Sequence, residues 1–385
     1  MKKFSRINAG VVGVGFIGAA HVEALRRIGV NVVGVVGSTP ERVRAKADVA
    51  DLPTVYDSVE HLATDPDIDV IHIATPNAVH YDQVLTCIAA GKHIVCEKPL
   101  AVTSEQSAEL VSRAKAAGVV HAVCFNLRFY GHVLQSRAMV AAGELGDVTY
   151  VTGRYFQDWL LLDTDWNWRL VPQDAGELRA VADIGSHWLD LARFITGQDI
   201  VEVMSDLYTF VPVRRHPDGP VETFAAMSQD ENLVEELMTS DDAASIMLRF
   251  ESGARGLVAV SQVSAGRKND VRFEINGSSS SVAWRSEDPE LLFVGHRGRP
   301  NELLNRDPSL VHASVAPHIG YPGGHVEGYP DTFRALFAAV YTDVASGEPA
   351  PAPNYPTFAD GHDSLLVTEA VARSAADQRW IPVDR

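Results

Sequence analysis

Two stretches of this sequence carry side chains suited to moving a proton: Glu97-Lys98-Pro99, and Gly176 to Gly197, which reads GELRAVADIGSHWLDLARFITG. In the second, Asp183 and His187 stand four residues apart, so on a helix they project from the same side of one turn. Trp188, Leu191, Ala192 and Ile195 fall at i, i+3, i+4 and i+7, the spacing of one apolar helix face. Gly197 is placed to end that helix, and Asp183 or Ser186 to cap its start. The partial positive charge of a helix N-terminus disfavours imidazolium, so His187 is expected to stay neutral and able to accept a proton. A carboxylate beside a neutral imidazole on a rigid element is what oxidation of an alcohol requires. Alone, a D-x-x-x-H pair is a weak signal, because most such pairs are a cap and a surface or core histidine. Lys98 strengthens it. It follows a short strand, His93 to Cys96, and precedes a proline that fixes the exit and suits a cis bond. A lysine at the end of a buried strand is able to serve as a base when desolvation favours its neutral form.

The elements that must position these groups begin at the N-terminus. Ala9 to Val14 reads as a buried strand, Gly13-Val14-Gly15-Phe16-Ile17-Gly18 follows directly, Ala19 to Ile28 is helical, and Asn31 to Val36 is a second strand. In that context G-x-G-x-x-G is a dinucleotide loop: Gly13 for the turn, Gly15 for close approach of a diphosphate and Gly18 for helix–strand packing. Phe16 and Ile17 open the helix on whose N–H groups the diphosphate would rest. The acidic residue expected about 20 residues on is missing. Gly37-Ser38-Thr39 stands there, with Arg42 one helical turn further. Ser38, Thr39 and Arg42 suit a 2′-phosphate, which leans the choice between NAD and NADP towards NADP, although Arg42 reads equally as a solvated helix residue.

A further strand, Val70 to Ala74, ends in Thr75-Pro76-Asn77, with His80 just beyond. Ligands bind at the carboxyl ends of parallel strands, so Ala74, Thr75, Pro76, Asn77 and His80, with Glu97 and Lys98, are assigned to the cofactor. Ser104 to Ala117 is a helix ended by Gly118, and Val119 to Phe125 is the last strand of this domain. Asn126 follows at its carboxyl end as a cofactor contact and Arg128 as a substrate contact. The boundary is placed there, giving a dinucleotide domain over 1–126 and a second domain over 127–385, whose C-terminal segment is free to pack back on the first.

GVGFIG, ATPNAVH, HIVCEKPL and DIGSHWLD, in this order and spacing, resemble the Gfo/Idh/MocA family of oxidoreductases over nearly the whole chain. The resemblance implies an α/β fold: an N-terminal Rossmann domain with a doubly wound parallel sheet, then a C-terminal α/β domain with an open, mostly antiparallel sheet. That second sheet would serve substrate binding and assembly into a homodimer or homotetramer. Lys98, Asp183 and His187 would form the catalytic group, with Trp168 and Arg169 close to the nicotinamide. The QDW segment is similar to one in sugar dehydrogenases of the levoglucosan type.

The substrate expected is a sugar or polyol. Gln157-Asp158-Trp159 and Trp166-Asn167-Trp168-Arg169 make a polar, aromatic loop in which Gln157, Asp158 and Arg169 are placed to bond hydroxyls and the indoles to stack on a sugar ring. Each tryptophan also reads as core. His325, in a Gly-rich segment ahead of a helix over Asp331 to Ala345, is either a substrate contact or a capping histidine. His187 or neutral Lys98 would take a secondary hydroxyl's proton while hydride leaves the same carbon, with Asp183 orienting the pair. Two rival readings remain: an internal-redox enzyme with tightly held NAD(H), and a nucleotide-binding regulator without catalysis.

Val133 to Ala142 reads as a crossing helix, and Val148 to Phe156, Ala244 to Phe250, Gly256 to Val263, Val271 to Asn276 and Ser281 to Trp284 as strands, with Glu287 to Pro322 loop-rich. Tyr355 to Ala376 ends in a helix, followed by a terminal strand from Trp380 to Val383. Composition narrows the rest. A net charge of −17 argues against nucleic acid or an anionic membrane as partner. Cys87, Cys96 and Cys124, odd in number and without C-x-x-C spacing, give neither a disulfide framework nor a zinc site and fit a reducing cytoplasm. No H-E-x-x-H spacing calls for a metal. Lys2, Lys3 and Arg6 before an apolar run superficially suggest a secretory signal, but Gly10, Gly13, Gly15 and Gly18 interrupt it, so export is not expected.

Overall fold

The computed structural model of the chain describes residues 1–217 and 233–385. It divides into two units: Met1–Asn126 with Gln173–Gly176 and Phe333–Leu365, and Leu127–Pro172 with Glu177–Thr332 and Leu366–Arg385.

The first unit is built on β1 (Asn8–Val12), α1 (Phe16–Arg27), β2 (Asn31–Val36), α2 (Pro40–Val49), β3 (Thr54–Val55), α3 (Val59–Thr64), β4 (Val70–Ile73), α4 (His80–Ala89), β5 (His93–Cys96), α5 (Ser104–Ala117) and β6 (His121–Val123). All strand pairs are parallel, in the order β3-β2-β1-β4-β5-β6, a doubly wound Rossmann sheet. Every residue of β4 is buried, as expected of a central parallel strand. Gly118, at φ 67°, ends α5 in the left-handed conformation. β1 is two residues shorter at its carboxyl end than its apolar run suggests, because Gly13 at φ 103° turns the chain out of the sheet. α1 consequently starts at Phe16 rather than Ala19.

The second unit contains α6 (Gly131–Ala141) and β7 (Val148–Phe156), and after the short α7 (Pro172–Ala175) a π-helical turn, Val181–Gly185, runs directly into α8 (Ser186–Thr196). Then come β8 (Ile200–Tyr208), the antiparallel pair β9 (Val213–Pro217) and β10 (Leu233–Leu237), β11 (Ala243–Phe250), β12 (Arg255–Ser261), β13 (Asp270–Gly277), β14 (Ser280–Arg285), β15 (Leu291–His296) and β16 (Glu302–Asn305). α9 (Tyr329–Ser346), most of which belongs to the first unit, α10 (Phe358–Asp377) and β17 (Ile381–Pro382) complete the chain. The large sheet has the order β16-β15-β14-β13-β7-β12-β11-β8-β17, and β7 and β12 are its parallel pair in an otherwise antiparallel ladder. β15 and β16 lie inside the stretch read as loop; the Arg-Gly-Arg-Pro punctuation between them masks two short strands that only cross-strand pairing stabilises.

α8 is fixed to this sheet through Trp188, which is 1 % exposed. Its indole N–H donates to the Arg272 carbonyl on β13 at 2.8 Å. The ring covers Gly153 of β7, where an added Cβ would lie 2.5 Å from Trp188 Nε1 and 2.0 Å from the Arg272 carbonyl oxygen. The side-chain cap expected from Asp183 or Ser186 is not formed. The π turn extends the helix upstream, and the Ser186 hydroxyl donates back to the Ala182 carbonyl at 2.7 Å. The turn itself hangs on Asp241, whose carboxylate accepts the N–H of Arg179 at 2.7 Å and of Val181 at 2.8 Å. Burial pushes the Asp241 carboxyl up to about 6, against those two donors and the Arg179 charge. Beside it Arg179 and Arg214 share the Asp242 carboxylate, all three fully enclosed.

Because nothing larger than hydrogen fits under Trp188, Gly153→Ala is expected to lower stability by about 1–3 kcal/mol, the usual cost of overpacking. Thermal unfolding followed by Trp fluorescence checks this; an unchanged melting temperature would mean that α8 sits on the sheet by other contacts.

Candidate active site

In the first unit the glycine turn shows what each position is for. A Cβ on Gly13 would stand 2.4 Å from the Ala74 carbonyl oxygen, and one on Gly18 2.0 Å from that of Gly13, whereas beside Gly15 there is open space. α1 starts at Phe16 with Gly15 as its N-cap and no side-chain cap, so its N-terminal end points its dipole into the glycine turn. These features fit a dinucleotide diphosphate, with Phe16 (56 % exposed) and Ile17 at its edge. Ser38, Thr39 and Arg42 stand exposed after β2.

The turn after β4 is tied down more than the sequence suggests. The Thr75 hydroxyl donates to Gln83 Oε1 at 2.7 Å, and the Asn77 amide donates to the Ala175 carbonyl at 2.9 Å. Ala74 and Pro76 are half-buried there, and Asn126 is 2 % exposed at the end of the unit. His80 is fully enclosed, with Nδ1 2.8 Å from the Pro99 carbonyl and Nε2 2.9 Å from that of Thr75. It braces the loop after β4 against the loop after β5. Lys98 lies half-buried before a cis peptide to Pro99, and its N–H donates to Glu97 Oε2 at 3.2 Å. Glu97 is turned inward rather than towards a ligand, its Oε1 3.1 Å from His21 Nε2.

In the second unit the π turn presents Asp183, and α8 presents His187 one turn on. Both carboxylate oxygens of Asp183 are held, Oδ1 by Arg169 Nε at 3.2 Å and Oδ2 by Gln262 Nε2 at 2.8 Å. Arg169 lies over the rings of Trp168 and Trp159, 4.5 and 5.6 Å from their centroids, and its N–H donates to Asn167 Oδ1 at 2.9 Å. His187 is 8 % exposed, its ring 6.4 Å from that of Tyr155. The Tyr155 hydroxyl donates to Asn269 Oδ1 at 2.7 Å, as does the Gln157 amide at 3.0 Å, and the Trp159 indole N–H donates to Gln157 Oε1 at 2.6 Å. Burial, then the charges of Asp183 and Tyr130, drive the Tyr155 phenol well up, so it remains a protonated donor. Trp166, by contrast, is core, stacked on His216 at 3.8 Å.

Three other expected substrate contacts have partners within the chain. Arg128 is 6 % exposed and its Nε donates to buried Asp190 at 2.8 Å, where an unpaired guanidinium would be costly. Asp158 is bonded by Lys268 at 2.8 Å and the Gly266 N–H at 2.9 Å, as the anchor of a loop. His325 is exposed, with Nδ1 3.3 Å from the Pro322 carbonyl, in a surface loop. Sequence reasoning missed Gln262, Tyr155 and Asn269. The available signal was position: Tyr155 and Gln262 lie at the carboxyl ends of β7 and β12, which pair in parallel with Phe156 opposite Ser261. The Gln157 N–H then donates to the Ser261 carbonyl at 2.8 Å, holding both loop starts together.

Comparison with known proteins identifies the family. Residues 7–125 match the family described as oxidoreductase, NAD-binding Rossmann fold, and residues 133–283 match the GFO/IDH/MocA C-terminal domain. The chain is 29% identical to levoglucosan dehydrogenase of Pseudarthrobacter phenanthrenivorans, over 98% of each protein. The crystal structure of an oxidoreductase domain protein from Kribbella flavida superposes with a TM-score of 0.88 at 30% identity, over 100% of both chains. Levoglucosan dehydrogenase in complex with NADH and L-sorbose superposes at 0.87 with 28% identity, over 98% of this chain and 99% of that one.

A pH-dependent signature follows from Glu97. Burial alone raises its carboxyl, but the hydrogen bond from His21, the charge of Lys98 and the Cys124 thiol outweigh burial and bring it down to about 2. A folded value below the ordinary 4.5 stabilises the protein fully above that pH, and the contribution is lost as the pH falls towards about 2. Denaturant unfolding of wild type and Glu97→Gln should therefore show a stability gap at pH 7 that narrows by pH 3. A gap independent of pH would mean that Glu97 is not ionised in the folded protein.

Proposed function

The chain belongs to the Gfo/Idh/MocA oxidoreductase family, and from that premise we propose that it transfers hydride between a secondary hydroxyl of a sugar or cyclitol and a nicotinamide dinucleotide. The observation that carries the reading is Asp183, held at both oxygens by Arg169 and Gln262 one turn before His187. An orienting carboxylate fixed in this way is what a general acid–base pair needs.

When bound, the nicotinamide supplies the hydride acceptor. The Gly13–Gly18 turn and the N-terminus of α1 would hold the diphosphate of the dinucleotide, with Ala74, Thr75 and Pro76 as further contacts. His187, or Lys98 in its neutral form, takes the hydroxyl proton, and the same groups return it in the reverse direction. Asp183 stabilises the charge so created. Trp168 and Trp159, stiffened by the Arg169 guanidinium, offer ring faces for a sugar, and Gln157 and Arg169 offer its hydroxyls donors. The dinucleotide proposed is NAD(H), which solved levoglucosan dehydrogenase carries. The 2′-phosphate expected from Ser38, Thr39 and Arg42 has no comparable support. Tyr150, Met247, Leu257, Phe293 and Leu303, exposed on strands of the large sheet, support its use in a homodimer or homotetramer. Among the described residues no helix is long and apolar enough to cross a membrane.

Reduced-nicotinamide absorbance, with NAD and NADP tested separately against sugars, inositols and sugar acids, is the direct assay. Lys98→Ala and His187→Ala should each lower turnover by about two to four orders of magnitude; near-normal rates in both would remove the assignment. Silence across the panel with nucleotide retained in the purified protein would favour internal redox. Arg42→Ala should leave the preference for NAD unchanged, and a selective loss of NADP affinity would reinstate the 2′-phosphate reading.

A further inference from the structure

Inside the first unit lies a string of polar side chains that the proposed chemistry does not use. His21 on α1, His72 in β4 and Tyr341 on α9 are all fully buried. His21 Nε2 is 3.1 Å from Glu97 Oε1, His21 Nδ1 is 3.0 Å from His72 Nδ1, and His72 Nε2 is 3.0 Å from the Tyr341 hydroxyl. Phe337 closes the string, 4.9 Å from the His21 ring and 4.7 Å from that of His72. The four groups come from four separate elements and touch end to end.

Hydrogen-bond bookkeeping gives this string a direction. An ionised carboxylate only accepts, so His21 Nε2 carries the proton facing Glu97. In a neutral ring His21 Nδ1 then accepts, which requires His72 Nδ1 to donate. His72 Nε2 is left to accept from the Tyr341 O–H. An extra proton on His21 would reverse the inner half and make Tyr341 an acceptor. Its own O–H would then be buried without a second partner among the described residues, which is costly. Burial drives His72 well down and Tyr341 well up, both in keeping with neutral groups.

We propose that Tyr341, His72 and His21 are positioning residues, a one-way chain of donors that fixes the Glu97 carboxylate as an acceptor beside the Lys98 backbone. The proposal rests on the reading of Lys98 as a reacting group. Glu97 Oε1 ends the chain and Glu97 Oε2 accepts the Lys98 N–H, so the carboxylate couples three buried elements to the residue that faces the chemistry. The competing use of the same atoms is a metal site. His21, Glu97 and Cys124 have ligand atoms within 4.8 Å of one another. A metal would bind the Cys124 thiolate and take the His21 Nε2 and Glu97 Oε1 atoms that the chain uses, so the two readings exclude each other and metal content separates them.

The test begins with ¹⁵N-histidine NMR of the intact wild-type protein. The chain requires His21 protonated at Nε2 and His72 at Nδ1; either ring in the other tautomer overturns it. One metal ion per chain by elemental analysis, lost in Cys124→Ser, overturns it as well. For the coupling to Lys98, Tyr341→Phe and His21→Leu should lower kcat by about tenfold while KM for nucleotide stays within about twofold, the size of one lost buried hydrogen bond. His21→Gln, which keeps a donor towards Glu97, should recover part of the loss. Unchanged kcat in both variants, with the tautomers as stated, removes the positioning role. If wild type turns over no polyol, the proposed function fails instead, and the histidine tautomers still decide the chain.

Discussion

Two backbone N–H groups, those of Arg179 and Val181, converge on the Asp241 carboxylate, and the second unit's site depends on that contact. A helix start leaves donors that something must satisfy. Here a buried acid does so, at the cost of its own desolvation, and the turn that follows is π rather than α. Turns with i to i+5 bonding are strained relative to α-helix and persist where surrounding contacts over-determine them. The contacts are visible: Asp241 at the start, Trp188 pinned to β13 at the far side, and Arg169 and Gln262 on Asp183 between them. Asp183 and His187 are therefore held by the sheet as much as by their own helix.

The same rule recurs through the molecule. Several buried acids have donors supplied from distant parts of the chain: Asp190 by Arg128, Asp242 by Arg179 and Arg214, Glu97 by His21. Pairs of this kind contribute little net stability compared with apolar packing, yet removing one partner strands the other. They fix geometry. In a protein whose proposed chemistry needs a proton acceptor and a hydride acceptor at one carbon, fixed geometry is the larger part of the rate.

This explains which parts of the structure were legible in the sequence. The glycine turn, β4, β5, α5 and the apolar face of α8 are written in local spacing, since Gly13, Gly118, Gly197 and the Trp188–Ile195 stripe each act within a few residues. Gln262, Tyr155 and Asn269 were not legible, because their meaning comes from β7 lying beside β12 and β13, a neighbourhood that no local pattern encodes. Arg128, Asp158 and His80 have partners that local spacing did not reveal, for the matching reason. A charged or ring side chain near a strand end looks like a ligand contact until the partner that consumes it is known, and Asp190, Lys268 and the Pro99 carbonyl are far away in sequence. The missed β15 and β16 are short strands defined by pairing alone.

The parallel pairing of β7 with β12 has a consequence for how such a protein changes over time. Two strands that run the same way release their chains at the same edge, so the segments 157–171 and 262–269 emerge side by side from a ladder that does not depend on their sequence. Substitutions and insertions in one segment can be matched by the other without disturbing the pleated register beneath. The sheet acts as a chassis and the two segments as exchangeable fittings, a layout that lets substrate preference drift quickly while the core evolves slowly.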